Sequence, residues 1–189
     1  MLKNVVFLDR DGVINYDSPN YIKGWHEVEF IPGSLAGIRE LTQKGLVVIV
    51  ITNQSAIKRQ LITLEALQEL HRRMRASVAE AGGNIAAVYF CPHGPQDNCT
   101  CRKPAPGLFR QAQQAFQIDL TSAVMVGDSA KDIEAAYRAG CGLTVLVKTG
   151  NGAEALKTLR QGAMLPDHVA DDLHAAAQWI VGRLPAETS

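Results

Sequence analysis

Two aspartates one residue apart, Asp9 and Asp11, close the apolar run Val5-Val6-Phe7-Leu8 and are followed at once by Gly12. Four apolar residues in a row read as a parallel strand covered on both faces, and Gly12 permits a sharp exit from it. The carboxylates then lie at the C-terminal end of a central strand, where open α/β sheets hold their ligands. Neighbouring acids beside an apolar sheet repel each other and resist burial, so their natural partner is a cation. Further along, Thr52-Asn53-Gln54-Ser55 presents hydroxyls and amides able to bind phosphate oxygens, Arg102-Lys103 precedes Pro104, and Gly127-Asp128-Ser129 leads to Asp132. Asp9, Asp11 and Asp128 make an oxygen donor set suited to Mg²⁺, beside which Thr52 and Lys103 would hold a phosphoryl group.

A second group of chemistry-bearing residues is soft rather than hard. Cys91, His93, Cys99 and Cys101 offer a Cys₃His set for Zn²⁺. In an extended segment residues i and i+2 face the same way, which suits the single-residue spacers. Four protein ligands would fill a tetrahedral zinc, so the expected role is structural: clamping the loop that delivers Arg102 and Lys103. Cys141 stands apart and reads as a small core residue. His26, His71, His168 and His174 lie outside any cluster and are assigned to local structure or solvent.

These groups need a scaffold. Apolar, β-branched segments at Val5–Leu8, Val47–Ile51, Ala86–Phe90, Ala123–Val126 and Thr144–Val147 alternate with helical patterns at Gly33–Lys44, Thr63–Ala81, Pro106–Phe116 and Ala130–Ala139. A further helix is expected near Asp171–Val181, and a frayed tail over Leu184–Ser189. Ser34 and Thr63 are plausible helix starts, and Gly45, Gly82-Gly83 and Gly140 suit helix exits. Such alternation predicts an α/β, Rossmann-like, doubly wound parallel sheet. Two long connections break the pattern: Asn15–Pro32, directly after the acidic pair, and Cys91–Pro106, which holds the cysteine loop. Both insertions are short, so only a minimal cap is expected. The site would be open, and Trp25 would pack the first of these loops.

Length and charge bound the rest. A chain of 189 residues, 47% hydrophobic and 20% charged, fits one globular domain over 1–189. Nineteen basic and nineteen acidic residues cancel, leaving no net field to attract nucleic acid or an anionic membrane. No apolar run approaches the roughly 20 residues that span a bilayer. Met1-Leu2-Lys3-Asn4 enters the first strand directly, without a signal peptide, which points to the cytoplasm. In that compartment clustered thiols favour a metal over disulfides.

Taken together, Asp9-Arg10-Asp11-Gly12, Thr52, Lys103 and Gly127-Asp128-Ser129-Ala130-Lys131-Asp132 resemble the four signatures of the haloacid dehalogenase (HAD) superfamily of phosphohydrolases. These are D-x-D-G, a Ser or Thr after the second strand, a Lys, and G-D-x-x-x-D. The resemblance implies that Asp9 is a nucleophile forming an aspartyl-phosphate and that Asp11 is the general acid and base. It further implies Mg²⁺ held by Asp9, Asp128 and the Asp11 backbone carbonyl, with Asp132 supporting the ligands rather than binding the metal. Dehalogenases of the superfamily lack the second acid, so Asp11 argues for phosphoryl transfer to water. Within the superfamily, the Cys-x-His, Cys-x-Cys and Arg-Lys-Pro pattern is similar to that of the heptose-bisphosphate phosphatases and of the histidinol-phosphatase domain. The Asn15 region, Thr52–Ser55 and Arg102–Gly107 are closer to the former. That likeness implies removal of the C7 phosphate of D-glycero-D-manno-heptose 1,7-bisphosphate by a monomeric enzyme, in ADP-heptose and lipopolysaccharide precursor synthesis. Substrate contacts would come from Asp17, Asn20, Asn53, Gln54, Ser55, Arg59 and Arg102, with Lys58 and Arg59 equally readable as a solvated charged turn. Histidinol-phosphate phosphatase, or a non-catalytic phosphate-binding module of the same fold, is the alternative.

Overall fold

The structure is a computed structural model that describes residues 1–162 and 164–184. Its sheet runs in the order β3-β2-β1-β4-β5-β6 among the described residues. The strands are β1 (Val5–Leu8), β2 (Val47–Asn53), β3 (Ala87–Cys91), β4 (Val124–Gly127), β5 (Leu143–Val147) and β6 (His168–Ala170), and every pairing is parallel. The helices are α1 (Ser34–Gln43), α2 (Leu64–Glu80), α3 (Gly107–Phe116), α4 (Ala130–Ala139), α5 (Gly152–Gln161) and α6 (Leu173–Val181).

Alternation along β1 builds the two layers. Val6 and Leu8 pack with Ile38 and Leu41 of α1, Met74 and Val78 of α2 and Leu173 and Ile180 of α6. Val5 and Phe7 face the other way, onto Leu108 and Phe109 of α3 and Ala135 and Ala136 of α4. The Phe7 and Phe109 rings meet edge-on at 4.9 Å, a contact worth about 0.5–1.5 kcal/mol beyond its buried area. Because all four residues of β1 are fully buried, its end is a rigid platform. The order of connection reverses between β1 and β4, and that switch point opens the crevice into which Asp9 and Asp128 emerge.

Strand and helix bounds follow the sequence pattern closely, with informative exceptions. Ser34 is the first helical residue rather than the cap; Gly33, with φ +83°, makes the turn into α1. Thr63 does cap α2, its hydroxyl accepting from the Ala66 N–H at 3.1 Å. The short edge strand β6 and helix α5 are additions to the expected set. Trp25 packs edge-on against Phe30 at 6.1 Å and braces the long first loop. Of the expected frayed tail, Leu184 still donates to the Val181 carbonyl at 3.0 Å, while 185–189 lie outside the described residues.

Candidate active site

Four strand ends and one loop converge on a cavity of about 510 Å³ lined by Asp9, Arg10, Asp11, Asp17, Thr52, Asn53, Gln54, Ser55, Arg102, Asp128, Ser129, Lys131 and Asn151, among others. Asp9 follows β1 directly, and its Oδ1 accepts from the Arg10 N–H at 2.7 Å. Lys103 is buried at 1% exposure, with Nζ 2.9 Å from Asp9 Oδ2, 2.6 Å from Asp132 Oδ1 and 2.9 Å from the Ile51 carbonyl. A lysine so enclosed would lose its charge to burial, but Asp132 and Asp9 more than offset this and raise its pKa. Asp132, wholly buried in the first turn of α4, also accepts from the Ser129 N–H at 3.0 Å and hydroxyl at 2.7 Å. It orients Lys103 and closes the helix start.

Asp128 leaves β4, and its Oδ2 accepts from the Asn151 N–H at 2.8 Å. Oδ1 has no hydrogen-bond donor among the described residues. The approach of three loops around this carboxylate demands glycine. A Cβ on Gly12 (φ +82°) would lie 2.1 Å from Asp128 Oδ2, and one on Gly150 (φ +57°) would lie 2.2 Å from it. Thr149 ties the loops together, its hydroxyl donating to the Gly12 carbonyl at 2.6 Å.

Charge in this crevice does not balance. Among the groups at its base, Asp9, Asp11, Asp128 and Asp132 face Arg10 and Lys103, which leaves an excess of two negative charges there. Burial pushes the Asp9 carboxyl well up, with Lys103 opposing and Asp132, Asp128 and Asp11 adding to the rise. Burial and then Asp132 push Asp128 up to about 7. Asp17, at the cavity rim, is raised by burial and by Asp11. A divalent cation between Asp9 and Asp128 would cancel the excess. Carboxylate oxygens of Asp9, Asp128 and Asp132 lie within 4.8 Å of one another, but those of Asp132 are already engaged by Lys103 and Ser129. The donor set therefore fits Mg²⁺ with Asp9 and Asp128 as carboxylate ligands.

Asp11 has a different environment. Burial would raise its pKa, but the charge of Arg10 and hydrogen bonds from Asn15, Gln54 and Arg10 hold it below the ordinary value. Thr52, 1% exposed, accepts from Gln54 Nε2 at 2.9 Å and keeps its hydroxyl proton for a ligand. Asn53 lines the cavity, yet its amide is spent on Lys103: Nδ2 donates to the Lys103 carbonyl at 3.1 Å and Oδ1 accepts the Lys103 N–H at 3.0 Å. Gln54 is similarly committed to Asp11 and Arg10. Both amides are hydrogen-bonded to neighbouring site residues, where the sequence reading gave them phosphate. Two further candidates lie off the cavity wall. Asn20 is exposed at a loop tip, and Arg59 lies over the Tyr21 ring at 5.6 Å; neither lines the cavity. Lys58 reaches Asp97 on the surface at 3.8 Å. Arg10, Asn151, Thr149 and Lys131 join the site without having been singled out.

At the end of β3, Cys91, His93, Cys99 and Cys101 form a closed cage with Sγ and Nδ1 atoms 3.2–3.6 Å apart. Tetrahedral zinc with sulfur ligands at about 2.3 Å has donor–donor edges of about 3.8 Å, so the cage fits that ion with a small expansion. Burial pushes the Cys91 thiol up, with the Cys101 hydrogen bond adding to the rise. Cys99 resists burial through the Arg102 N–H and its thiol neighbours and falls to about 7. Arg102 Nη1 donates to the His93 carbonyl at 3.1 Å, which folds the loop against the cavity rim.

Similar proteins agree with this geometry. A HAD-hydrolase-like family model matches residues 100–176. The D-glycero-beta-D-manno-heptose-1,7-bisphosphate 7-phosphatase of Pseudomonas putida is 46% identical over 177 residues, covering 94% of this chain and 99% of its own. That of Bordetella bronchiseptica is 43% identical over 179 residues, covering 94% and 97%. The crystal structure of D,D-heptose 1.7-bisphosphate phosphatase from B. bronchiseptica, complexed with magnesium and phosphate, matches with a TM-score of 0.89 at 40% identity, covering 96% of this chain and 99% of that one. Among the described residues no helix is long and apolar enough to cross a membrane.

Proposed function

Since this chain belongs to the D-glycero-β-D-manno-heptose-1,7-bisphosphate 7-phosphatase family of HAD-like hydrolases, we propose that it hydrolyses the C7 phosphate of that sugar with Mg²⁺, on the route to lipopolysaccharide precursors. It is a phosphoric monoester hydrolase. The observation that carries the reading is the convergence of Asp9, Asp11, Thr52, Lys103 and Asp128 at one switch-point crevice.

In the first step an Asp9 carboxylate oxygen attacks phosphorus in line, the P–O bond to the sugar breaks, and Asp11 in its protonated form, the minor one given its lowered pKa, gives its proton to the departing alkoxide. In the second, Asp11 takes a proton from water as the water oxygen attacks phosphorus, and the Asp9 carboxylate is released. Mg²⁺ held by Asp9, Asp128 and the Asp11 carbonyl supplies neutralisation of the acids and of the phosphoryl oxygens. Lys103 and Thr52 hold the transferring group, while Asp132 and Asn53 fix Lys103 from its two sides. Asp17, Ser55 and Arg102, all in the cavity wall, are the substrate-facing residues. Arg102 suits the remote phosphate through its planar fork. Zn²⁺ in the Cys₃His cage anchors the loop that carries Arg102 and Lys103. Such reduced thiols suit a cytoplasmic enzyme.

The test is Mg²⁺-dependent phosphate release from heptose 1,7-bisphosphate and from histidinol phosphate. A clear preference for the bisphosphate is expected; preference for histidinol phosphate would overturn the substrate assignment, and release from neither would favour a binding module.

A further inference from the structure

The Asp11 carboxylate is saturated. Oδ1 accepts from Arg10 Nε and Asn15 Nδ2, each at 2.9 Å, and Oδ2 accepts from Arg10 Nη2 and Gln54 Nε2, each at 2.9 Å. A carboxylate has about four lone-pair positions, so none remains for a leaving oxygen or a water. For Asp11 to exchange a proton, one donor must let go while the others keep the carboxylate plane.

The surroundings distinguish the donor that stays from the one that yields. Arg10 binds with two charge-assisted bonds in a planar fork, the strongest of the set. It is 1% exposed and among the largest fully buried side chains of the protein, so Asp11 is the carboxylate that neutralises it. Behind it, Arg10 Nη1 donates to Nε2 of His71 at 3.1 Å. Arginine only donates, so that His71 nitrogen is the unprotonated one. His71 is in turn buried and tilted against the Phe90 ring at 5.7 Å. Gln54, by contrast, contributes one neutral bond and shares the same Nε2 with Thr52 Oγ1, the hydroxyl that an incoming phosphoryl group engages.

We propose that Arg10, braced from behind by His71, is the positioning residue of Asp11, and that Gln54 cedes its place on Oδ2 to the sugar oxygen and then to the attacking water. The fork holds one edge of the carboxylate while the other reacts. This rests on the reading of Asp11 as general acid and base, and the test separates the two.

An alkoxide leaving group needs the proton that Asp11 supplies, whereas p-nitrophenolate leaves without it. The measurement is kcat/KM, which reports phosphoryl transfer to Asp9 and not the later attack of water that Asp11 also serves, on the sugar bisphosphate and on p-nitrophenyl phosphate for wild type, Arg10→Lys, His71→Leu, His71→Gln, Gln54→Ala and Asp11→Asn. Arg10→Lys keeps the charge and loses the fork. Its kcat/KM on the sugar ester should fall about 10²-fold, with that on the aryl ester within about threefold, as expected for loss of general acid catalysis. His71→Leu should show the same selectivity at about a tenth of the size, with His71→Gln restoring an acceptor and part of the rate. Gln54→Ala should lose less on the sugar ester than Arg10→Lys. Equal losses of kcat/KM on both esters, an unchanged sugar-ester kcat/KM in Arg10→Lys, or a larger selective loss in Gln54→Ala would overturn the proposal. Selective loss in Asp11→Asn without one in Arg10→Lys defeats the positioning role alone; equal losses in Asp11→Asn defeat the acid–base reading and the proposal with it. If Arg10→Lys does not fold, the His71 pair decides, since His71 touches neither Asp11 nor the cavity.

Discussion

At the ends of β1 and β4 four carboxylates meet two buried cations across an open cavity, while at the end of β3 three thiols and an imidazole close around one interior point. The oxygen cluster is unbalanced by two charges and, among the described residues, leaves Asp128 Oδ1 without a donor. Every donor of the sulfur cluster instead points inward at 3.2–3.6 Å spacing. An incomplete shell can exchange ligands and admit a phosphoryl group; a complete one can only hold its chain segments together. The first is a workplace and the second a fastener. They are joined because Lys103 leaves the fastened loop and enters the workplace.

The sharpest way to break this contrast is Asp9→Asn. Replacing the proposed nucleophile should lower Mg²⁺-dependent phosphate release by about 10³-fold or more with the circular-dichroism spectrum unchanged, since Lys103 keeps Asp132; residual turnover near wild type would reject Asp9. Lys103→Met should fail differently, because two buried acids lose their counter-charge. Breaking a buried pair typically costs about 3–5 kcal/mol, so denaturant midpoints should fall along with activity. An inactive but equally stable variant would show that Lys103 serves the substrate alone.

Cys99→Ser tests the fastener. Wild-type protein purified without added metal should carry about one zinc per chain, and the variant little, with about 2–3 kcal/mol lost in stability and activity reduced rather than abolished. Zinc absent from wild type would refute the clamp. A smaller effect concerns pH. Burial, reinforced by Arg10, lowers the His71 pKa from 6.5 to about 3. Unfolded chains take up this proton below about pH 6.5 and the folded protein does not until about 3. Stability from this group is therefore complete above pH 6.5 and lost as pH falls through that window. Urea midpoints of His71→Leu should decline less than wild type between pH 7 and 4; parallel declines would place the acid sensitivity elsewhere.

What the sequence showed and what it hid have physical reasons. Val5–Leu8 was legible to the residue because a four-residue apolar run at a switch point admits one reading. Helix α5 was not, since Asn151 makes no side-chain cap and Gly152 opens the helix against the Val147 carbonyl. Strand β6 has three residues, of which one is fully buried, too few for alternation to register. Aspartates, cysteines and Lys103 announce themselves by residue type and spacing. Arg10 does not, because a charged residue between two acids reads as an outward spacer. Only the turn at Gly12, with φ +82°, shows the alternation of β1 ending and the guanidinium folding inward. Asn53 and Gln54 were placed correctly but given the wrong partners, because an amide fits a peptide group or a neighbouring carboxylate as well as it fits phosphate.

The amide of Asn53 has a consequence for how this protein can change. By exchanging two hydrogen bonds with the main chain of Lys103, it acts as one more rung of the sheet, spanning 50 residues of sequence. The rung holds Lys103 itself and the Cys₃His cage holds the loop just before it, and neither depends on 94–98, the stretch between His93 and Cys99. Doubling the length of a flexible loop costs only about 0.6 kcal/mol. Insertions at this point should therefore be absorbed as surface excursions with Lys103 left in place. The span is a site where new segments can be added, by evolution or by design, without retuning the chemistry beneath.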